Sequence, residues 1–244
     1  MNELKTTIKI IKTRFAEISL ILGLYAMAVI ATTILEKGDK DIGLRILAVL
    51  LFTAFVALTH QFLLLGFLKT TEIKPFQPRL PFDLLVIGRH FFWRIVIFSL
   101  CFAFVLILLG QLLFTILQGI LHLDIQISQM SGKHILYRLS TTAVMAILAK
   151  PLIFIPAIII ACDQKLYQSI QNLKNFKFLK ANPIIYIFAA ELAMILAFES
   201  LPEHKNQVLN TTLLVSAGLV NHFLHTVVAM MAVRYVSRTA YRKN

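Results

Sequence analysis

Charge is scarce in this chain. Asp, Glu, Lys and Arg make up 15% of its 244 residues, against about a quarter in soluble domains. With 58% of residues hydrophobic, a soluble fold would have too little polar surface to cover itself. A bilayer removes the problem, because lipid tails cover apolar side chains directly. Cysteine is also scarce, with only Cys101 and Cys162. One falls inside an apolar span and one at a span's cytoplasmic end, so neither faces an oxidising compartment and both are expected as free thiols. Acidic residues number half the basic ones, 12 against 24, for a net charge of +12. In a soluble protein that would suggest nucleic acid. Here the cations lie between apolar runs, so anionic lipid head groups and topology account for them, and no nucleic-acid partner is expected. Walker A, His-Glu-x-x-His and Gly-x-Ser-x-Gly motifs are missing, which removes the commonest nucleotide, zinc-protease and serine-hydrolase signatures. There is no low-complexity segment. Asn210-Thr211-Thr212 matches a glycosylation sequon, which matters only in a eukaryotic secretory membrane.

What is present is a series of apolar runs near the roughly 20 residues that a membrane helix needs. The expected fold is all-α: a polytopic membrane helix bundle forming one membrane domain over residues 1–244. Its six spans are placed at about 15–35, 42–68, 91–121, 141–162, 183–200 and 212–236, of which the fifth is the shortest. The basic start, the first apolar run and Ala26-Met27-Ala28 have the form of a cleavable leader. The run continues to Leu35, however, so a retained first helix is expected.

Orientation follows from Lys and Arg. With the N-terminus inside, the terminal segments and inner loops hold 17 of them, the outer loops hold 6, and Lys150 falls inside a span. This bias predicts cytoplasmic termini and an even number of spans. The inner segments also look structured. Leu4, Ile8, Ile11 and Phe15 recur at helical spacing, with Lys5, Lys9 and Lys12 on other faces. That is the pattern of a basic amphipathic helix at a membrane surface. Leu166, Ile170 and Leu173 repeat it, with Lys174, Lys177 and Lys180 behind them. Pro75, Pro78 and Pro81 break the chain between the second and third spans. Pro81 can open a helix whose first turn Asp83 then favours. One unit, a short cytoplasmic surface helix followed by a membrane hairpin, is thus expected three times, starting near Asn2, Leu80 and Lys165. Membrane lipids, including anionic head groups at these surface helices, are the expected partners.

Two stretches carry a family resemblance. One runs from Gly66-Phe67-Leu68-Lys69 through Pro81-Phe82-Asp83-Leu84-Leu85 to Phe91-Phe92-Trp93-Arg94. The other runs from Cys162-Asp163 through Ser169 to Lys180-Ala181-Asn182. They resemble the cytoplasmic linkers of the YciC-type group of bacterial membrane proteins. They are also similar to the membrane region attached to some glycerophosphodiester phosphodiesterases. The resemblance implies six helices and an inner-membrane location. It supplies no catalytic residues, and with no phosphodiesterase domain in the chain it implies no such activity.

The residues able to carry chemistry lie within the spans. Lys150 sits mid-span, where a charge costs about 3 kcal/mol or more unless paired or hydrated. Glu191, near the middle of the next, antiparallel span, is its expected partner, either in a proton or substrate relay or in a structural ion pair. Asn221, His222 and His225 share a face of the last span. Two imidazoles with Glu191 match a two-His-one-carboxylate ligand set, but interhelical hydrogen bonding explains such residues equally simply, and neither a metal nor a cofactor is expected. Lys150, Glu191, Asn221, His222 and His225 therefore form the candidate intramembrane binding cluster. His60, Gln61, Gln111 and Gln118 add polar groups at other depths. Pro151 and Pro156 free backbone carbonyls or bend their helix.

The leading functional expectation is a non-enzymatic permease-like or membrane-organising protein. One alternative is the membrane subunit of an ABC-type exporter, docking a separate ATPase through residues 69–90 and 163–182. The other is a membrane-embedded lipid enzyme using His222, His225 and Glu191.

Overall fold

A computed structural model describes residues 2–37, 43–120, 130–176, 182–199 and 207–241. These form nine α-helices: α1 (Asn2–Thr13), α2 (Phe15–Lys37), α3 (Gly43–Ile73), α4 (Pro81–Ile120), α5 (Met130–Ile147), α6 (Ala149–Cys162), α7 (Leu166–Asn172), α8 (Asn182–Glu199) and α9 (Gln207–Tyr241). No strand occurs among the described residues. Among the described residues, four stretches are long and apolar enough to cross a membrane: Phe15–Thr32, Leu47–Ile73, Pro81–Ile120 and Val215–Ala240. The bent pair Leu136–Ile147 and Ala149–Cys162 makes a fifth if it counts as one span. By length and composition this is a multi-pass membrane protein. Large apolar side chains on the outer faces, Phe55, Leu100, Phe104 and Ile107 among them, are exposed, as helices solvated by lipid require. The expected fifth span is α8, whose apolar part, Pro183–Ala197, falls short of a full crossing length.

The expected fourth span is not one straight helix. The chain breaks at Leu148 and turns by 55° between α5 and α6. Pro151 lies in the first turn of α6, where its missing N–H cannot bond back across the break. The expected surface helix near Leu80 is also corrected. Pro81 and Asp83 do open a helix, but it runs unbroken to Ile120 over 40 residues. The three-fold repeat of a separate surface helix is therefore kept only by α1 and α7. Lys177 and Lys180 of the last copy, and most of the expected outer loops at 36–41 and 201–210, lie outside the described residues.

α3 and α4 form a hairpin whose backbones touch. A Cβ at Gly66 would lie 2.0 Å from the Leu84 carbonyl oxygen, and one at Gly88 would lie 1.8 Å from that of Phe62. Only glycine fits at either position, the usual solution where membrane helices must approach closely. Phe62 and Phe92 close the crossing edge to face, their centroids 4.8 Å apart.

One end of the bundle gathers the charges. Arg14 is buried between α1 and α2, where its Nε donates to Glu17 Oε1 at 2.9 Å and its second amino nitrogen bonds the other carboxylate oxygen. That nitrogen also reaches Thr70 Oγ1 on α3 at 2.8 Å, and the guanidinium covers the Phe67 ring. The Arg79 backbone N–H donates to Glu17 at 3.0 Å. Lys69 Nζ donates to Glu72 at 2.8 Å and to the Ala161 carbonyl of α6 at 3.0 Å. Ser237 Oγ of α9 donates to Glu72 at 3.0 Å, and Arg234 donates to the Thr71 carbonyl at 3.3 Å. Arg94 of α4 holds Asp163, just past α6, at 2.7 Å. The start of α2, the ends of α3, α6 and α9, and the early turns of α4 therefore share one end. α1 packs there through Thr7 and Ile10, leaving Leu4 and Ile8 outward, with Phe15 of α2 beside them.

Candidate functional site

Register from that charged end fixes what meets in the middle. Thr71 is level with Arg234, so nine to twelve residues deeper His60 comes level with His222 and His225. His60 Nε2 and His222 Nε2 lie 2.9 Å apart. This contact needs one donor and one acceptor, so the two rings hold different tautomers or share a proton. A doubly protonated pair would set N–H against N–H. Tyr25 of α2 stacks on His222 with centroids 4.3 Å apart and planes 4° from parallel. Its hydroxyl lies over Gly218, where a Cβ would meet it at 3.2 Å.

One turn along α9, His225 Nδ1 lies 3.1 Å from Glu191 Oε1 of α8. Glu191 is buried; its Oε2 has no hydrogen-bond partner among the described residues, and the same holds for Asn221 Oδ1. The contact ties the His225 ring of α9 to the Glu191 carboxylate of α8 and so fixes the ring's orientation.

The expected Lys150–Glu191 pair does not form. Among the described residues Lys150 makes no ion pair with Glu191, whose partner is His225. The reason is helix order in space: α6 and α8 pack chiefly on α9 rather than on each other. The candidate cluster is thus partly assembled. His222 and His225 face different partners, Glu191 joins the second, Asn221 lies beside them in sequence, and Lys150 stands apart at the α5–α6 bend. No three His, Cys, Asp or Glu side chains among the described residues are placed to share a metal ion. Both Cys101 and Cys162 are free thiols.

Between α3, α4, α6, α8 and α9 lies a slot of about 370 Å³, within the roughly 300–1,000 Å³ of small-molecule sites. Gln61, Ser99, His222 and His225 line it at one end, and Leu68, Ile95, Ile160 and Val233 toward the charged end. Gln111, Gln118 and Lys150 do not line it. A second cavity, of about 430 Å³, opens at the charged end itself, beside Asp163, Asn172, Asn175 and Ser237. Asp163 closes α6 in a left-handed conformation, φ 51°. Partial burial pushes its carboxyl up, but hydrogen bonds from Arg94 and His90 outweigh this and hold it below the usual carboxylate range.

Sequence reasoning missed Tyr25, the stacking partner of His222, and the Arg14–Glu17–Thr70 lock. Tyr25 sits unmarked in an apolar run. Glu17 was the available signal, as an acid three residues after an arginine at the start of a span. Comparison with protein-family models, curated proteins and solved structures finds no match for this chain.

Proposed function

We propose that this chain is a non-enzymatic, permease-like or membrane-organising protein, and that its working element is the intramembrane slot between α3, α4, α6, α8 and α9. The observation that carries this reading is the slot's composition. A largely aliphatic cavity of about 370 Å³ ends in Gln61, Ser99, His222 and His225, the pattern of an apolar pocket with a few orienting polar groups.

On this reading the bundle crosses the bilayer six times, α8 being a short fifth crossing, with both termini cytoplasmic. Support comes from the excess of Lys and Arg at the charged end. The single tryptophan, Trp93, adds to it: it is exposed on α4 beside Arg94, where an interfacial aromatic belongs. The turns of α4 before Trp93 then lie at the cytoplasmic surface, with α1 and α7, against anionic lipid. The resemblance to YciC-type proteins supports a bacterial inner membrane.

The rival readings draw less support. Most of residues 69–90 continue α3 and α4 rather than forming a separate coupling helix. For an enzyme, His222 and His225 are turned to different partners. Native mass spectrometry of protein purified from its own membrane tests the proposal. Wild-type protein should carry a bound small molecule, and Ala229→Phe, which fills the slot, should lose it while eluting as a folded monodisperse species. Identical adduct spectra from the two would overturn it.

A further inference from the structure

We infer that Glu191 and His225 form an intramembrane proton-binding site that is loaded through the slot. The inference rests on the slot reading for its route of access, and it adds a second ligand, the proton, to whatever molecule the slot holds.

Glu191 is a carboxyl without its usual solvent. It lies halfway along the apolar helix α8 and is 6% exposed. Its partner His225 lies in the layer of His60, nine residues deeper on α9 than Arg234. A bare negative charge at such depth is costly, and ionisable side chains placed there pair with one another or serve proton pathways. Among the described residues no Lys or Arg pairs with Glu191, and its one polar contact is His225. The helices packed on α8 are chiefly α9 and α5. On α9 the nearest other titratable group is His222, whose Nε2 is occupied by His60. Arg234, Tyr235 and Arg238 lie more than two turns nearer the charged end. On α5 stand Tyr137 and Arg138, and at the α5–α6 bend Lys150; none of the three bonds Glu191.

A proton is the ligand that fits. Glu191 Oε2 is enclosed and has no partner among the described residues, so water, ions and small molecules have no room beside it. Nor are three His, Cys, Asp or Glu side chains among the described residues placed to share a metal ion. A proton needs no room, because it settles on an atom already there. With the imidazole neutral and the carboxyl ionised, the pair carries one negative charge. One added proton cancels that charge, whether it sits on the ring or on the carboxyl, because two groups in contact titrate as a unit. A second proton would restore a net charge, now positive. The pair therefore takes one.

The route follows from exposure. The Glu191 side chain is 7% exposed and does not line the slot, whereas that of His225 is half exposed and does, beside His222. From these imidazoles the slot runs along α3 and α9 to Leu68 and Val233, toward the charged end. A proton entering there meets His225 before Glu191 and crosses the 3.1 Å contact between them. Imidazole suits the task, since one ring nitrogen can accept a proton while the other gives one up. Loading changes the charge at the slot's deep end by one unit, so the proton and the slot's occupant act on each other's binding.

The test is rapid-mixing infrared spectroscopy of the full chain in nanodiscs of phosphatidylethanolamine and phosphatidylglycerol, after an alkaline-to-neutral pH step. Wild-type protein should gain one proton, read as a carboxylic-acid C=O band or an imidazolium band, that Glu191→Gln does not gain. That variant keeps the side chain's shape; should it not fold, Glu191→Leu takes its place. His225→Asn should keep the uptake, as a carboxylic-acid band alone, but slow it about 100-fold, the worth of a positioned proton-transfer group. Ala229→Phe, or Ala157→Phe should that variant not fold, fills the slot and should slow the uptake without removing the band. Equal uptake by wild type and a folded Glu191 variant would overturn the site. Undiminished speed in His225→Asn would overturn the relay. Undiminished speed in a folded slot-filled variant would overturn the slot as the route and leave the site standing, while the mass-spectrometric comparison of the same variant decides separately whether the slot holds a molecule.

Discussion

Arg14 shows how a charge is made tolerable at the edge of a membrane bundle. It is 1% exposed, yet both Glu17 oxygens, Thr70 and the Phe67 ring surround it. Breaking such a buried pair costs about 3–5 kcal/mol, because the remaining charge is stranded. Glu17→Gln should therefore lower unfolding free energy in detergent by about that much. A double Arg14→Met, Glu17→Met variant should recover part of the loss. The His60–His222 contact is worth less. Membrane hydrogen bonds average about 0.6 kcal/mol in double-mutant cycles, and a cycle of His60→Leu and His222→Leu should return a coupling near that size. Asp163 gives a pH dependence. Its folded-state carboxyl lies below the ordinary value of about 3.9, so it adds stability above that pH and loses it as pH falls further. Half exposure keeps the effect small. Asp163→Asn, which also tolerates the left-handed backbone, should flatten the stability profile below about pH 4. At this scale the sequence marked Glu191, His222 and His225 as unusual, because polarity inside an apolar run is visible without a structure. It misassigned the partner of Glu191, since which helix faces which is a property of packing and leaves no trace in spacing.

At the scale of helices, the α3–α4 crossing is the most demanding contact. Gly66→Ala and Gly88→Ala each push a methyl into the facing backbone, which cannot step aside as a side chain can. Both should be destabilising by about 1–3 kcal/mol, as overpacking generally is. Gly23→Ala and Gly119→Ala, with nothing within 4 Å of the added carbon, should be neutral or mildly stabilising. Thermal melts of the four variants in one detergent separate these outcomes. The apolar runs announced α2, α3, α4 and α9, but their helices extend past the runs. α3 continues to Ile73 and α4 begins at Pro81, because hydropathy reports the lipid boundary and not the end of backbone hydrogen bonding. Pro81 was legible as a helix start, since its fixed φ suits that position. The break at Leu148 was foreshadowed by Pro151, but its 55° turn depends on what α5 and α6 pack against.

For the whole molecule, the central claim is that the basic segments gather at one end of the bundle and face one side of the membrane. The contacts Arg14–Thr70, Glu17–Arg79, Lys69–Ala161, Arg94–Asp163 and Ser237–Glu72 tie these segments together. In the proposed topology that end faces the cytoplasm, as the positive-inside bias favours. Scanning single cysteines, in a background with Cys101 and Cys162 replaced by serine, measure this directly. Lys12→Cys, Phe76→Cys and Tyr167→Cys lie at the charged end, and Lys37→Cys and Lys133→Cys lie in or beside the outer loops. In right-side-out vesicles a membrane-impermeant maleimide should label only the last two, and in inverted vesicles only the first three. Labelling of either group together with a member of the other, from one side of an intact membrane, would contradict the account.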